Sequence, residues 1–197
     1  MATARIELRD VLNFFEYEKV RNDRRQQVME LKRIRRVQVG RHLSFLFENW
    51  DTVLFQIQEM CRVERITDDA KIQDEIDVYA GLLPNPGELS ATMMIEIEDK
   101  EEIQPVLDSF LGIDLGQHVW MQVGKEFVIP GNFEAGHSDE ERGKLSAVHF
   151  VRFAFPEAAA RAFRNAPVFL VVDHTGERAR VELSPETKAA LVSDLAG

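Results

Sequence analysis

The sequence predicts an α+β protein that is built on a mainly antiparallel sheet with flanking helices. Short stretches of alternating apolar and polar residues, typical of strands, recur through the second half of the chain. A long stretch near the N-terminus contains neither Gly nor Pro and predicts a long, partly exposed helix. With 197 residues, 45% of them apolar, the chain is expected to form a single domain over residues 1–197 that needs no disulfide or metal for stability.

The long N-terminal helix is predicted over residues 10–36, with Asp10 as its cap. Its apolar stripe is thin in the middle, so we expect the helix to pack at its two ends and to stay partly exposed between them. The stripe consists of Val11, Phe15, Val28, Leu31 and Ile34.

The N-terminal helix also carries most of a basic segment, residues 19–41, which has nine Lys or Arg and two acidic residues. The whole chain has a net charge of −10, so the rest of it is strongly acidic. The basic segment therefore lies on the chain's own acidic body or on that of a second copy, or it binds another acidic partner. We expect a homodimer that weakens as salt rises.

Composition also restricts where in the cell the protein is expected and which kinds of partner it is expected to bind. The longest apolar run, residues 168–172, is too short for a membrane span, and the N-terminus lacks the apolar stretch of a signal peptide. The single cysteine, Cys61, suits a reducing compartment, so a cytoplasmic protein without a membrane partner is expected. The negative net charge argues against a nucleic-acid partner. Binding of nucleic acid or an acidic protein through the basic helix 19–41 is kept as an alternative.

The remaining elements follow from periodicity and from turn residues. A helix capped by Thr67 or Asp68 carries the amphipathic stripe Ile72, Ile76, Tyr79 and Leu83. Another helix is predicted over 56–65, and others near 100–111, after Pro156 and from Ser184. Strands are predicted at 37–39, 43–47, 52–55, 91–97, 119–123, 126–129, 146–155 and 168–173, with a polar loop at 131–143.

None of the common active-site signatures occurs in the sequence. It contains no P-loop or dinucleotide-binding Gly-rich loop, no Ser between glycines, no HExxH and no EF-hand pattern. The sequence therefore favours a protein that is not an enzyme, and it predicts no cofactor.

The helix at 56–65 carries a row of polar residues that includes Glu64. Gln56, Glu59 and Arg62 fall three apart and can share a face. A ladder of solvated ion pairs explains the row without any function. Alternatively, the row grips an anionic or amide ligand, with Arg62 and Arg65 as forked donors. On this hypothesis at least one of the two arginines contacts a carboxylate from another segment.

Two histidines occupy predicted strands. His149 alternates with apolar residues, and His174 follows an aliphatic run beside Asp173. If the two strands are neighbours, both rings and Glu96 form a plausible metal set, and the alternative function is a metal-dependent enzyme or sensor. If the strands are apart, each ring takes its own hydrogen-bond partner, which is the arrangement that we expect.

The free thiol of Cys61 also has two interpretations. The neighbouring Arg62 would make it reactive by lowering its pKa, whereas a buried cysteine would be inert.

Four short segments, the first of which runs from FQIQEM at 55–60 through RVERI at 62–66, together resemble one bacterial family. The other three are ATMMIE at 91–96, SAVHF at 146–150 and VDH at 172–174. The chain resembles the domain-of-unknown-function family 3501 through them. Thr175 and Gly176 depart from the Pro and aromatic residue that relatives carry after the last segment.

The resemblance implies a setting rather than a reaction. Such proteins are often encoded beside rubrerythrin-like and iron–sulfur proteins, so an accessory role in a redox or oxidative-stress system is expected, with a partner of that kind. The expected activity is binding of a partner protein or small anionic ligand where the 56–65 helix faces the two histidine strands. The candidate ligand-binding residues lie in the matching segments: Gln56, Glu59, Arg62, Glu64, Arg65, Glu96, His149, Asp173 and His174.

Overall fold

The centre of the protein is an antiparallel sheet of eight strands. The computed structural model describes residues 5–134, 138–139 and 144–196. The strands follow the order β1-β2-β3-β8-β5-β4-β9-β10. Their bounds are β1 Arg36–Val39, β2 Leu43–Phe47, β3 Glu88–Ile95, β4 Val119–Val123, β5 Phe127–Phe133, β8 Val148–Ala154, β9 Val168–His174 and β10 Glu177–Glu182; β6 Ser138–Asp139 and β7 Lys144–Leu145 pair separately.

Six α-helices and two short 3-10 helices surround the sheet within the described residues. The helices are α1 Phe14–Arg35, α2 Trp50–Val63, α3 Asp69–Ala80, α4 Ile103–Ser109, α5 Glu157–Phe163 and α6 Pro185–Ala196, with 3-10 helices at Leu8–Asp10 and Lys100–Glu102. This architecture confirms the predicted α+β class with an antiparallel sheet. None of these helices in the described part of the chain is both long and apolar enough to cross a membrane.

The sheet curls into a nearly closed barrel, because its two edge strands approach each other. The backbone N–H of Arg41, after β1, donates to the carboxylate of Glu177 in β10 at 2.8 Å. Gly40 makes this approach possible, since a Cβ there would lie 2.2 Å from the Glu177 side chain. Its φ of +68° also lies in the left-handed region that favours glycine.

Side chains fill the barrel. Strand alternation turns every second residue inward, so Phe45, Met121 and Phe153 are fully buried in one core. The two buried aromatics Phe110 and Phe163 belong to the same core. An eight-stranded barrel has an interior of about the size that side chains can fill, which agrees with this packing.

A second, smaller core joins α1, α2, α3 and the N-terminal segment outside the barrel. Val53, Ile57 and Cys61 recur every fourth residue on α2 and pack with Ile72 and Ile76 of α3. Asp68 caps α3 by accepting from the next turn, as predicted.

The structure corrects the predicted elements in four places. The strand predicted at 52–55 is wrong, because Asn49 and Thr52 form a capping box that starts α2 at Trp50. The N-terminal helix starts at Phe14 rather than residue 10, because Asn13 is the residue that caps it. β10 was not predicted, and its mostly charged residues explain why. Of the predicted loop 131–143, residues 131–133 belong to β5, whereas 135–137 and 140–143 lie outside the described residues.

The N-terminal helix packs near its two ends. Tyr17, Val28 and Arg35 are buried, and residues 22–27 are all exposed. Part of the basic segment 19–41 lies on acidic residues of the same chain. The ion pairs are Arg21–Glu59, Arg33–Glu30, Arg33–Glu186, Arg35–Asp194, Arg36–Glu96 and Arg41–Glu102.

Arg35 ties the helical layer to the barrel. Its side chain is 2% exposed and donates to the carbonyl oxygens of Phe47 at 2.8 Å and Glu48 at 3.1 Å. It also forms an ion pair with Asp194 on α6. Burial raises the pKa of Asp194, and the Arg35 charge opposes that shift. The end of α1, the end of β2 and α6 therefore meet at one guanidinium.

We expect Arg35→Met to destabilise the protein by about 3–5 kcal/mol, because Asp194 and two carbonyl groups lose a buried partner. The measurement is urea unfolding followed by circular dichroism. Arg33→Met is the matched control, since the exposed Arg33–Glu30 pair contributes about 0–1 kcal/mol. The double variant Arg35→Met/Asp194→Leu should recover part of the loss. Equal losses for the two single variants would contradict the role of Arg35.

Candidate functional site

A cleft of about 170 Å³ lies between α1 and α2, beneath the exposed middle of α1. It forms because α1 is tied down on both sides of residues 22–27 but not at them. We call it the α1–α2 cleft. Its lining residues are Asp10, Leu12, Tyr17, Arg24, Val28, Trp50, Asp51, Leu54, Phe55 and Gln58.

The walls of the α1–α2 cleft are mostly apolar. Trp50, Leu54 and Phe55 come from the first turns of α2, and Val28 comes from α1. The ammonium group of Lys32 lies 5.5 Å from the centre of the Phe55 ring, within cation–π range. Burial lowers the pKa of Lys32. The cleft thus offers aromatic and aliphatic surface to a ligand's apolar part.

A charged network next to the cleft joins α1 to α2. Glu59 accepts from Arg21 Nε and Nη2, both at 2.8 Å, and from the Tyr17 hydroxyl at 2.7 Å. The bidentate bond from Arg21 lowers the pKa of Glu59. Burial, with help from the bond to Glu59, raises the pKa of Tyr17. At neutral pH the carboxylate is therefore ionised and the phenol keeps its proton.

Gln58 holds the N-terminal segment against α2. Its amide accepts from the Leu12 N–H at 2.9 Å and donates to the Leu12 carbonyl at 2.8 Å. The side chain is 5% exposed, and this pair of bonds satisfies it. Leu12 is thereby fixed as one wall of the α1–α2 cleft.

The rim of the cleft carries one basic and two acidic residues. Arg24 comes from the exposed middle of α1, Asp51 from the first turn of α2, and Asp10 from the N-terminal segment. In the part of the chain that the structure describes, no carboxylate forms an ion pair with Arg24. Its forked N–H groups are therefore available to a planar anionic group.

The residues of the predicted polar row do not act as one group in the structure. Glu59 lies in the network next to the cleft, and Arg62 donates through Nε to Glu18 of α1. The expected contact between one of the two arginines and a carboxylate from another segment is thus confirmed. Glu64 and Arg65 are exposed at the end of α2, where Arg65 has a φ of 55°. Gln56 is half-buried on α2.

The two predicted histidines do not share a site. β8 and β9 are not neighbours, because β5 and β4 lie between them in the sheet. His149 is fully buried, with Nε2 2.7 Å from the Ser146 carbonyl and Nδ1 3.7 Å from the Asp114 carboxylate. His174 accepts from the Gly176 N–H at 3.1 Å and packs against the His118 ring. Each ring thus has its own backbone partner.

The proposed metal set is therefore not assembled. The Glu96 carboxylate lies at the surface, where it accepts from Arg36 at 2.7 Å and Ser44 at 2.6 Å. Asp173 is exposed and pairs with Arg178 at 3.0 Å. No group of three His, Cys, Asp or Glu residues in the described ranges is arranged to hold a metal ion. The 56–65 helix also packs on α1 and α3 rather than against the inward histidines of the barrel.

Cys61 does not match the reactive interpretation. It is buried in the helical core, and burial raises the pKa of its thiol. The guanidinium of the neighbouring Arg62 is directed to Glu18. A protonated thiol in an apolar environment is inert.

Sequence reasoning missed Tyr17, Arg24 and Gln58. A stripe at helical spacing on α1 could have indicated Tyr17 and Arg24. In it, Tyr17, Arg21, Arg24 and Val28 follow one another at intervals of four, three and four. A search for apolar residues alone overlooks this stripe, because three of its four members carry polar groups.

Two comparisons identify similar proteins, and a third finds none. A crystal structure of a protein of unknown function from Burkholderia pseudomallei K96243 has 31% sequence identity and a TM-score of 0.89. The similarity covers 98% of this chain and 100% of that one. No curated protein matches this chain. The family model described as "Protein of unknown function (DUF3501)" matches residues 5–195.

We expect Glu59→Gln to cost about 1.5–3 kcal/mol at neutral pH, because Arg21 and Tyr17 lose a charged acceptor. The pKa of Glu59 is lowered by folding, so its contribution is present above the ordinary value of 4.5 and is lost as pH falls through the folded value. Urea unfolding at a series of pH values measures both effects. Glu64→Gln, at an exposed position, should change stability by about 0.5 kcal/mol or less. A constant difference between wild type and Glu59→Gln down to acid pH would contradict this assignment.

Proposed function

The chain belongs to the DUF3501 family, and we propose that it is a non-enzymatic accessory protein that binds a compact monoanion in the α1–α2 cleft. The observation that carries this proposal is the position of Arg24. An arginine without an ion-pair partner among the described residues stands at the mouth of an apolar cleft. Ligand sites combine such apolar walls with a few convergent polar groups.

The two kinds of surface divide the binding task. Trp50, Leu54 and Phe55 would bury the apolar body of the ligand and supply most of the affinity. The Arg24 guanidinium would accept a carboxylate or similar planar anion through two parallel N–H donors. The small volume of about 170 Å³ restricts the ligand to a single ring or a short chain.

The rim charges favour one negative charge over several. Asp10 and Asp51 stand on the same rim as Arg24 and would repel a dianion. They would also accept hydrogen bonds from any N–H or O–H group on the ligand. A monocarboxylate with an apolar body therefore fits the cleft better than a phosphate ester.

The protonation states support binding rather than proton transfer. Tyr17 keeps its proton because its pKa is raised, and Glu59 stays ionised because its pKa is lowered. A general acid or base works best with a pKa near the working pH, and these two groups are shifted away from it. Their role is to join α1 to α2 and to fix the distance between the two helices that the cleft requires.

The cellular setting that we propose is a cytoplasmic redox or oxidative-stress system. Its support is the rubrerythrin-like and iron–sulfur gene neighbours that the family resemblance implies. Ligand occupancy would change the surface that α1 presents, because Arg24 belongs both to the cleft and to the exposed middle of the helix. A rubrerythrin-like or iron–sulfur partner would then recognise the changed surface of α1.

We expect benzoate to bind with a stoichiometry of one and Arg24→Gln to weaken it about tenfold, which corresponds to about 1.4 kcal/mol. Isothermal titration calorimetry at low salt measures the affinity. Arg25→Gln is the matched control, because it removes the same charge from the next residue without touching the cleft. Benzamide tests the charge on the ligand and should bind about tenfold more weakly than benzoate.

Two results would contradict the proposed ligand class. One is the absence of saturable binding of both benzoate and hexanoate at millimolar concentration. The other is an equal loss of affinity in Arg24→Gln and Arg25→Gln, which would indicate attraction by net charge rather than a contact in the cleft.

A second copy of the chain is a further proposed partner, as expected from the charge asymmetry. Phe15 on α1 is 75% exposed, and Met29 lies further along the same helix at 39% exposure. Lys19 and Arg25 lie between them on the exposed side of the helix. This basic and apolar face complements the acidic body of a chain whose net charge is −10.

We expect a homodimer at low salt that dissociates as salt rises, because exposed charges are screened beyond about 8–10 Å at 0.1–0.15 M salt. Multi-angle light scattering across a salt series measures the mass. Phe15→Glu should give a monomer at all salt concentrations, whereas Val78→Glu, at another exposed apolar position, should not. A wild-type monomer at low salt and high protein concentration would refute the dimer.

A further inference from the structure

A second cleft, separate from the first, lies between the end of α3 and the outer face of the barrel. Its volume is about 570 Å³, within the range of about 300–1,000 Å³ that is usual for ligand pockets. We call it the α3–sheet cleft. The lining residues at the end of α3 are Val78, Tyr79, Gly81 and Leu82. Those on the sheet side are Ser90, Asn132, Phe133, Glu134, Phe150 and Arg152.

The floor of the α3–sheet cleft is set by strand register. Ser90 of β3 and Asn132 of β5 both stand opposite Arg152 of β8, so the three form one row across three strands. Phe150 lies two residues before Arg152 and therefore on the same outer face. The backbone N–H of Glu134 donates to the carbonyl oxygen of Phe150 at 3.0 Å, so Glu134 lies next to Phe150 of β8.

Arg152 sets the distance between the end of α3 and the sheet. Its guanidinium donates to the carbonyl oxygens of Gly81 and Leu83, just after α3, and to the Glu88 carboxylate at 3.1 Å. Glu88 also accepts from the side chain of Asn85 in the same loop. Arg152 thus attaches the end of α3 to the sheet beside the cleft.

Ser90 places a hydroxyl group on the floor of the cleft. It is 3% exposed, it lines the cleft, and its hydroxyl has no hydrogen bond to any residue that the structure describes. The hydroxyl oxygen is not enclosed, so it reaches the open space of the cleft. A polar ligand in the cleft would replace water at this hydroxyl.

The charges around the cleft select a ligand without an anionic group. The positive charge of Arg152 is compensated by Glu88. Glu134 keeps a negative charge at the cleft, where it accepts hydrogen bonds. Asn132 adds an amide that can donate and accept at once.

We infer that the α3–sheet cleft binds a planar nitrogen heterocycle that bears an amino group, such as a purine base or its nucleoside. Tyr79 offers aromatic surface for stacking, and the ring would lie between it and the floor of the cleft at Phe150. The Asn132 amide would pair with a ring nitrogen and an amino group, as side-chain amides do with adenine. Glu134 would accept from the amino group, and Ser90 would reach the opposite ring edge.

This site is independent of the α1–α2 cleft. The two clefts share no lining residue, and one is proposed for a monoanion whereas the other is proposed for an uncharged heterocycle. Failure of one proposal therefore leaves the other standing, and residue-resolved measurements tell them apart.

The test is a titration of the full chain with adenine, adenosine and AMP, followed by amide chemical shifts in ¹⁵N-labelled protein. We expect saturable shifts at Tyr79, Leu82, Ser90 and Phe150 for adenine and adenosine. The amides of Trp50 and Phe55 in the other cleft should not move. AMP should bind about tenfold more weakly than adenosine, because its phosphate meets Glu134.

Two variants define the contacts. Asn132→Ala and Ser90→Ala should each weaken adenosine binding by about three- to tenfold, with unchanged circular dichroism. Asn22→Ala, on the exposed face of α1, is the matched control and should leave the affinity unchanged. Indole, a planar ring without an amino group, should bind at least about tenfold more weakly than adenine.

Each opposite result would overturn the inference. No saturable binding of adenine and adenosine at millimolar concentration would show that the cleft is not a heterocycle site. Equal affinity for indole and adenine, or no effect of Asn132→Ala, would make it an unspecific apolar groove. Tighter binding of AMP than of adenosine would contradict the charge selection.

Discussion

The buried guanidinium of Arg35 is the constraint on which the rest of the structure depends. An arginine with 2% exposure is stable only where every nearby charge and carbonyl group is arranged around it. It holds the carbonyl oxygens of Phe47 and Glu48, where β2 leaves the barrel, and it pairs with Asp194 of α6. Since Asn49 caps α2 immediately afterwards, the same contact fixes where the helical layer begins.

Both clefts result from how polar side chains attach helices to this framework. Arg35 holds one end of α1, and the Tyr17–Arg21–Glu59 network holds the other, so the middle of the helix stands off from α2. Arg152 attaches the end of α3 to the sheet in a similar way. In each case a few directed hydrogen bonds replace continuous apolar packing, and the remaining space can accept a ligand.

The sequence predicted the elements better than it predicted the contacts. Most strands of the sheet, the capped helix α3 and the burial of His149 follow from local periodicity. The strand predicted at 52–55 fails because the Asn49–Thr52 capping box outweighs the β-propensity of the segment. The stripe of α1 that faces α2 was overlooked, because buried polar residues such as Tyr17 do not register in an apolar pattern.

By itself the sequence determined the α+β class, the antiparallel strands and the long N-terminal helix, because these depend on neighbours within one or two turns of chain. It also predicted that Arg62 or Arg65 contacts a carboxylate from another segment, as Arg62 does with Glu18. Only the tertiary structure decided that β5 and β4 separate the two histidine strands, and that Ser90, Asn132 and Arg152 form one row. Which strands become neighbours is decided by contacts between segments far apart in the sequence, so the periodicity of each strand by itself does not reveal it.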